Sequence, residues 1–245
     1  MKAYEARHYL LKAELRWERV EDRSRYPYSL PAVAGLQEIE FHPKVTFLVG
    51  ENGSGKSTLI EALAIAWGFN PEGGSKNFRF GTAASHSSLH SALRLIKGTK
   101  RARDGFFLRA ESYFNVATYV DGLAGGAASY GGRSLHAQSH GESFLALMDN
   151  RLGGKGLYIF DEPEAALSPS RQMSMLVRMH DLIAADSQFV IATHSPILMA
   201  YPDAWIYQLG THGLERVDYE DTEHFTITRN FLNRHRDVIR QLLGG

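Results

Sequence analysis

The segment Gly50-Glu51-Asn52-Gly53-Ser54-Gly55-Lys56-Ser57 constrains this chain more than any other. It matches G-x-x-x-x-G-K-[ST] in full, and the pattern has a physical reason. Small residues let successive backbone N–H groups turn inward to form an anion nest. Val45-Thr46-Phe47-Leu48-Val49 before it reads as a buried strand. Lys56 to Trp67 after it reads as a helix with an apolar stripe through Leu59, Leu63 and Ala66. The helix points its positive end at the same anion. A triphosphate is the ligand this context implies, with contacts running from Gly50 through Thr58. Lys56 supplies a point charge to the β- and γ-phosphates, and Ser57 supplies an oxygen to Mg²⁺.

Leu157-Tyr158-Ile159-Phe160-Asp161-Glu162 sets two carboxylates at the end of an apolar strand, where open α/β sheets bind ligands. Asp161 is expected to hold Mg²⁺ and Glu162 to orient or deprotonate an attacking water. Pro163 then stops the strand.

The remainder fits a mostly parallel sheet covered by helices. Leu11 to Glu18 alternates and reads as a half-buried strand, opening an antiparallel N-terminal region. Leu89 to Ile96 suits either strand or helix. Phe106-Phe107-Leu108 reads as a strand, with a helix capped by Ser112 beyond it. Gly122, Gly125, Gly126, Gly131 and Gly132 mark a mobile tract. Further helices are expected near Ser139, from Ser170 to Ala185 and from Thr222 to Leu243. Strands are expected at Phe189–Ala192 and Ala204–Leu209.

Composition narrows the function classes. Lys plus Arg (27) equal Asp plus Glu (27), so no strong net field draws the chain to nucleic acid or a membrane. The absence of cysteine excludes a disulfide scaffold and a thiolate site. No apolar run approaches the roughly 20 residues of a membrane span, and the first residues lack a signal-peptide core. A cytoplasmic protein is the expectation. His86 and His90 lack a third ligand and read as surface residues. Locally, Arg94, Lys97, Lys100, Arg101, Arg103 and Arg109 crowd together with only Asp104 among them. Such a cluster would give nucleic acid a foothold.

The order of motifs resembles the ABC-type ATPases: Gly50–Ser57, Ser139-His140-Gly141-Glu142-Ser143, Asp161-Glu162, Ala166-Leu167-Ser168 and His194. The resemblance runs from about Leu11 to Leu243. Within that class the chain is most similar to small stand-alone bacterial ATPases and their relatives in DNA repair and anti-phage systems. Arg109-Ala110-Glu111-Ser112 and Ser139 to Ser143 carry that likeness. The class consensus for the second motif is Leu-Ser-Gly-Gly-Gln, from which His140 and Glu142 depart.

The resemblance implies one α/β domain over residues 1–245, with a small helical lobe at about 112–152. It implies Mg²⁺-dependent ATP hydrolysis and an ATP-dependent homodimer closed head to tail. Ser139 and Gly141 of one copy would then meet the γ-phosphate held by the other. His194 would sense that phosphate, and Glu111, where the class usually has Gln, would contact Mg²⁺ and water. Tyr26 or Tyr28 is a candidate to stack on adenine. The short interval between Glu111 and Ser139 offers little to seat a permease and no long coiled coil. A transporter subunit and a nucleotide-sensing scaffold with little turnover stand as alternatives, and a nucleic acid or a partner protein as the coupled element.

Overall fold

The structure is a computed structural model that describes residues 8–75, 87–109, 118, 137, 139–210 and 213–244. Its strands are β1 (Leu10–Leu15), β2 (Glu38–Glu40), β3 (Val45–Gly50), β4 (Leu93–Lys97), β5 (Asp104–Arg109), β6 (Gly156–Asp161), β7 (Gln188–Ala192), β8 (Ala204–Gly210) and β9 (Gly213–Val217). The described helices are α1 (Pro31–Ala34), α2 (Lys56–Trp67), α3 (Leu89–Ala92), α4 (His140–Asn150), α5 (Pro169–Ala184), α6 (Pro196–Met199) and α7 (Glu223–Leu243).

The main sheet has the order β5-β6-β7-β3-β8-β9, parallel except for the β8–β9 pair. Its inner strands β3, β6 and β7 are buried on both faces, and period-two alternation divides their side chains between two cores. Val45, Phe47, Val49, Tyr158 and Phe160 face one cluster, where Phe144 and Met148 of α4 and Met175 and Met179 of α5 pack. Leu48, Leu157, Ile159 and Val190 face the other, against Leu59 and Leu63 of α2. A smaller antiparallel sheet, β2-β1-β4, closes that second cluster.

Gln188 fastens the two sheets together. Its fully buried amide accepts from the Tyr9 and Leu10 N–H groups and donates to the Leu10 and His42 carbonyls. All of these buried polar groups are thereby satisfied.

Several boundaries differ from expectation. β1 ends at Leu15, because the chain turns at Trp17–Arg19 and the Trp17 ring N–H reaches the Leu36 carbonyl. Leu89 to Ile96 is neither one element nor the other: a helical turn at Leu89–Ala92 runs directly into β4. The edge strands β2 and β9 add to those expected. The tract from Gly122 to Gly132, Ser112, His86 and Glu111 lie outside the described residues. Among the described residues, no helix is long and apolar enough to cross a membrane. The last helix, α7, buries none of its described residues, and Ile227, Leu232 and Leu242 stand exposed.

Candidate functional site

Strand order assembles the site. β7 lies between β3 and β6, so the C-terminal ends of three adjacent parallel strands deliver Gly50, His194 and Asp161-Glu162 to one edge. Two backbone bonds hold the ends in step: Thr193 N–H to the Leu48 carbonyl (3.1 Å) and Glu162 N–H to the Ala192 carbonyl (2.9 Å).

The loop after β3 has the geometry its sequence calls for. Gly55 takes a left-handed conformation (φ 99°) and leaves the first turn of α2 without a side-chain cap. Uncapped N–H groups there remain available to an anion. At Gly50 a Cβ would sit 2.5 Å from the Leu209 carbonyl oxygen, so only glycine fits beside β8. Lys56 is 4% exposed, and its ammonium donates to the carbonyls of Gly50 (2.8 Å) and Glu51 (2.9 Å). Burial lowers its proton affinity, and the nearby Glu162 and Asp161 carboxylates oppose that shift. The Ser54 Oγ atom is buried and has no hydrogen-bond partner among the described residues. A polar atom left open in a glycine-built cradle fits a phosphate group.

Ser57 Oγ donates to Asp161 Oδ1 at 3.1 Å. A hydroxyl and a carboxylate side by side form the hard-oxygen pair that suits Mg²⁺, which takes few protein ligands and keeps its waters and phosphates. Arg109 lies beside this pair: its Nη1 is 2.6 Å from Glu61 Oε2, and its Nε is 3.9 Å from Asp161 Oδ2.

Glu162 adopts left-handed backbone angles (φ 50°, ψ 51°), uncommon for a residue with a side chain. Its Oε1 is 3.4 Å from His194 Nε2. The His194 backbone N–H donates to Glu164 Oε1 (2.6 Å), and His194 Nδ1 is 3.0 Å from His224 Nε2. Glu51, Asn52, Glu162, His194 and His224 line one cavity of about 510 Å³. A neighbouring cavity of about 750 Å³ runs from the same Glu51 and Asn52 past Gln208 and Glu215.

Burial pushes the Glu164 carboxyl up from 4.5, against the pull of the His194 N–H. A carboxyl raised on folding stabilises the protein while protonated, and that contribution fades as pH rises through the folded value. Glu164→Gln lacks this dependence. From about pH 4 upward its Tm is expected to gain on the wild type by scanning calorimetry, over the range in which the buried carboxyl loses its proton. A gap that stays constant across that range would refute the assignment.

Ser139 caps α4 in a closed capping box: its hydroxyl contacts Glu142 Oε2 (2.7 Å) and accepts from the Glu142 N–H. Arg171 donates to Ser139 Oγ (3.1 Å) and lies 3.4 Å from Glu142 Oε1. A Cβ on Gly141 would approach the Ala166 carbonyl oxygen to 2.9 Å, so α4 packs tightly there. Neither Ser139 nor Gly141 lines either cavity at the phosphate loop. Tyr28 packs its ring against Trp17, whereas Tyr26 is 65% exposed with its hydroxyl 3.4 Å from Thr58 Oγ1.

Three of the six cations in the basic cluster lie against carboxylates. Arg94 faces Glu14, Lys100 pairs with Asp186, Lys97 lies over the Trp67 ring and Arg109 is held by Glu61. Asp104, its one acid in the sequence, pairs instead with Arg151.

The "AAA domain" family matches residues 30–113. A second family, described as "AAA domain, putative AbiEii toxin, Type IV TA system", matches residues 143–200. The ADP conformation of an ATP-binding cassette of an ABC transporter superposes over 96% of this chain and 98% of its own, at 17% identity and a TM-score of 0.50. The fold is that of an ABC-type ATPase nucleotide-binding domain. A nucleotide-free ATP-binding cassette from an ABC transporter covers 94% of this chain and 97% of its own, at 16% identity and a TM-score of 0.49. The SMC head domain from Thermotoga maritima covers 85% and 98%, at 18% identity and a TM-score of 0.46. No curated protein matches the sequence. Within the ABC-type fold, Glu61, Glu164, Arg109 and His224 are the site neighbours that the sequence reading did not select.

Proposed function

We propose that this chain, as a single ABC-type domain over residues 1–245, binds ATP with Mg²⁺ and hydrolyses it between two copies closed head to tail. One observation carries the reading: Glu162 and His194 open into the same cavity as Glu51 and Asn52 of the phosphate loop. A carboxylate and an imidazole there meet the far end of a triphosphate seated on the loop.

In this reading Lys56, the loop N–H groups and the first turn of α2 hold the phosphates. Ser57 and Asp161 hold the cation, and Glu111 joins them by its place in the motif order. Bound magnesium neutralises charge on the β- and γ-phosphates. Glu162 accepts a proton from, or orients, the attacking water, while His194 donates a hydrogen bond to the γ-phosphate. The exposed Tyr26 ring stacks on adenine. Ser139 and Gly141, turned away from their own chain's cavities, serve the partner copy's nucleotide. Glu142 releases the α4 N-terminus when that phosphate arrives. Closure drives a partner protein or a nucleic acid.

Titration calorimetry with ATP and Mg²⁺ tests the binding, and phosphate release across a dilution series tests the dimer. Heat on binding and a specific activity that falls on dilution are expected. No heat, or full activity at every dilution, would overturn the reading.

A further inference from the structure

We propose that His224 is a positioning residue that fixes the tautomer and ring orientation of His194, and so makes the start of α7 part of the phosphate-sensing apparatus. The inference rests on the proposed role of His194 and adds a residue from an element that the motif order does not reach.

The two rings meet nitrogen to nitrogen. His194 Nδ1 lies 3.0 Å from His224 Nε2, with centroids 5.1 Å apart and planes inclined at 59°. One hydrogen occupies such a gap, so one nitrogen donates and the other accepts. The opposite edge of His194 decides which. Nε2 is buried, forms no hydrogen bond among the described residues and faces Glu162 Oε1 at 3.4 Å. A bare nitrogen lone pair aimed at a carboxylate is repelled, whereas an N–H is attracted. His194 therefore carries its proton on Nε2, its Nδ1 is bare, and His224 Nε2–H is the donor. A partner bonded to one ring nitrogen sets the tautomer at the other, as in metal sites where a second group orients a ligating histidine.

Among the described residues, no other group hydrogen-bonds the His194 ring. Glu164 holds the His194 backbone N–H, not the imidazole. His224 itself sits on a braced corner. Thr222 is fully buried and caps α7 through the Phe225 N–H, the Tyr219 hydroxyl donates to the Pro196 carbonyl, and the Tyr219 and Phe225 rings lie 4.6 Å apart. Pro196 follows His194 by two residues, so the corner is tied to the strand end it serves. Burial first, then the neighbouring His194 and Lys56, depress the proton affinity of His224, with Glu51 acting the other way. A neutral His224 has one N–H to give, and it gives it to His194.

The consequence is directional. With His224 in place, His194 keeps its buried Nε2–H directed at Glu162, the donor that a γ-phosphate oxygen arriving in the cavity would take over. Without it, the imidazole is free to turn or to move its proton to Nδ1, and then it presents a lone pair to an anion.

Long-range ¹H–¹⁵N correlation spectra of the histidine rings, taken on the full chain without nucleotide, test this apart from activity. His194 is expected as a single Nε2–H tautomer in the wild type. His224→Phe should give mixed tautomers, and His224→Gln, which keeps an N–H donor, should restore the single form. Turnover should fall about tenfold to a hundredfold in His224→Phe and recover in His224→Gln, with the dissociation constant for ATP little changed. An Nδ1–H tautomer in the wild type, or a His194 spectrum untouched in His224→Phe, overturns the proposal, as does a Gln variant no better than Phe. A wild type that shows the expected tautomers but no turnover supports the lock and overturns hydrolysis, which keeps the two failures distinct.

Discussion

Glu162→Gln is expected to reduce ATP turnover by about a hundredfold to ten-thousandfold while leaving ATP binding intact. The side chain occupies a position that little else in the chain can fill. β6 delivers it past Asp161, the Ala192 carbonyl holds its N–H, and Pro163 turns the chain away immediately after. The amide has the shape of the carboxylate and still faces His194, but it has no basic oxygen with which to take a proton from water. Binding depends on groups elsewhere: the loop N–H groups, Lys56 and the Ser57–Asp161 pair. The variant should therefore load ATP and stall, accumulating as a dimer by size exclusion with ATP and Mg²⁺ while phosphate release nearly stops. Turnover within threefold of the wild type would remove Glu162 as the base. A stalled enzyme that stays monomeric would retain the base and remove the dimer.

Features encoded by neighbours in the chain were legible in the sequence, and those encoded by strand order were not. α2 runs from Lys56 to Trp67 as its apolar spacing and flanking glycines indicate. β3 and β6 are continuous apolar runs because both of their faces are buried, and each ends where its polar motif begins. Ser139 announces the start of α4 through Glu142 three residues on, the spacing of a capping box. The contacts around the carboxylates have no such local signature. Arg109 reads as one more cation in a basic run until β5 pairs with β6 in a register that sets it opposite Asp161. Glu61 reads as a polar position on a helix, yet it is nearly buried under Arg109. His224 lies thirty residues from His194, and only the return of β8, β9 and the Tyr219 corner brings them together. β9 escaped notice because Gly213-Leu214-Glu215-Arg216-Val217 is short and half charged. Its partner β8, not its own composition, makes it a strand. Helical period and strand run thus mark out the candidate site, while the residues around it come from pairings with long sequence separation.

Lys56→Met is expected to weaken ATP binding by roughly thirtyfold to several thousandfold, the effect of removing one member of a buried charge pair worth about 2–5 kcal/mol. The ammonium is almost fully buried and rests on two carbonyls of its own loop, so it is already in place before any phosphate arrives. Keeping a cation there is costly without a ligand. Burial opposes its charge, and the surrounding carboxylates of Glu162, Asp161, Glu164 and Glu51 act with those carbonyls against that cost. Methionine has a similar length and no charge. It removes the electrostatic partner of the phosphates and leaves the Gly50 and Glu51 carbonyls without their donor. Affinity by calorimetry should therefore collapse, and Tm should fall by a few degrees because two carbonyls and the nearby carboxylates lose their cation. Lys56→Arg is not expected to restore affinity, because a planar guanidinium does not fit the space of a compact ammonium against those two carbonyls. A methionine variant that binds ATP within tenfold of the wild type would place the triphosphate elsewhere.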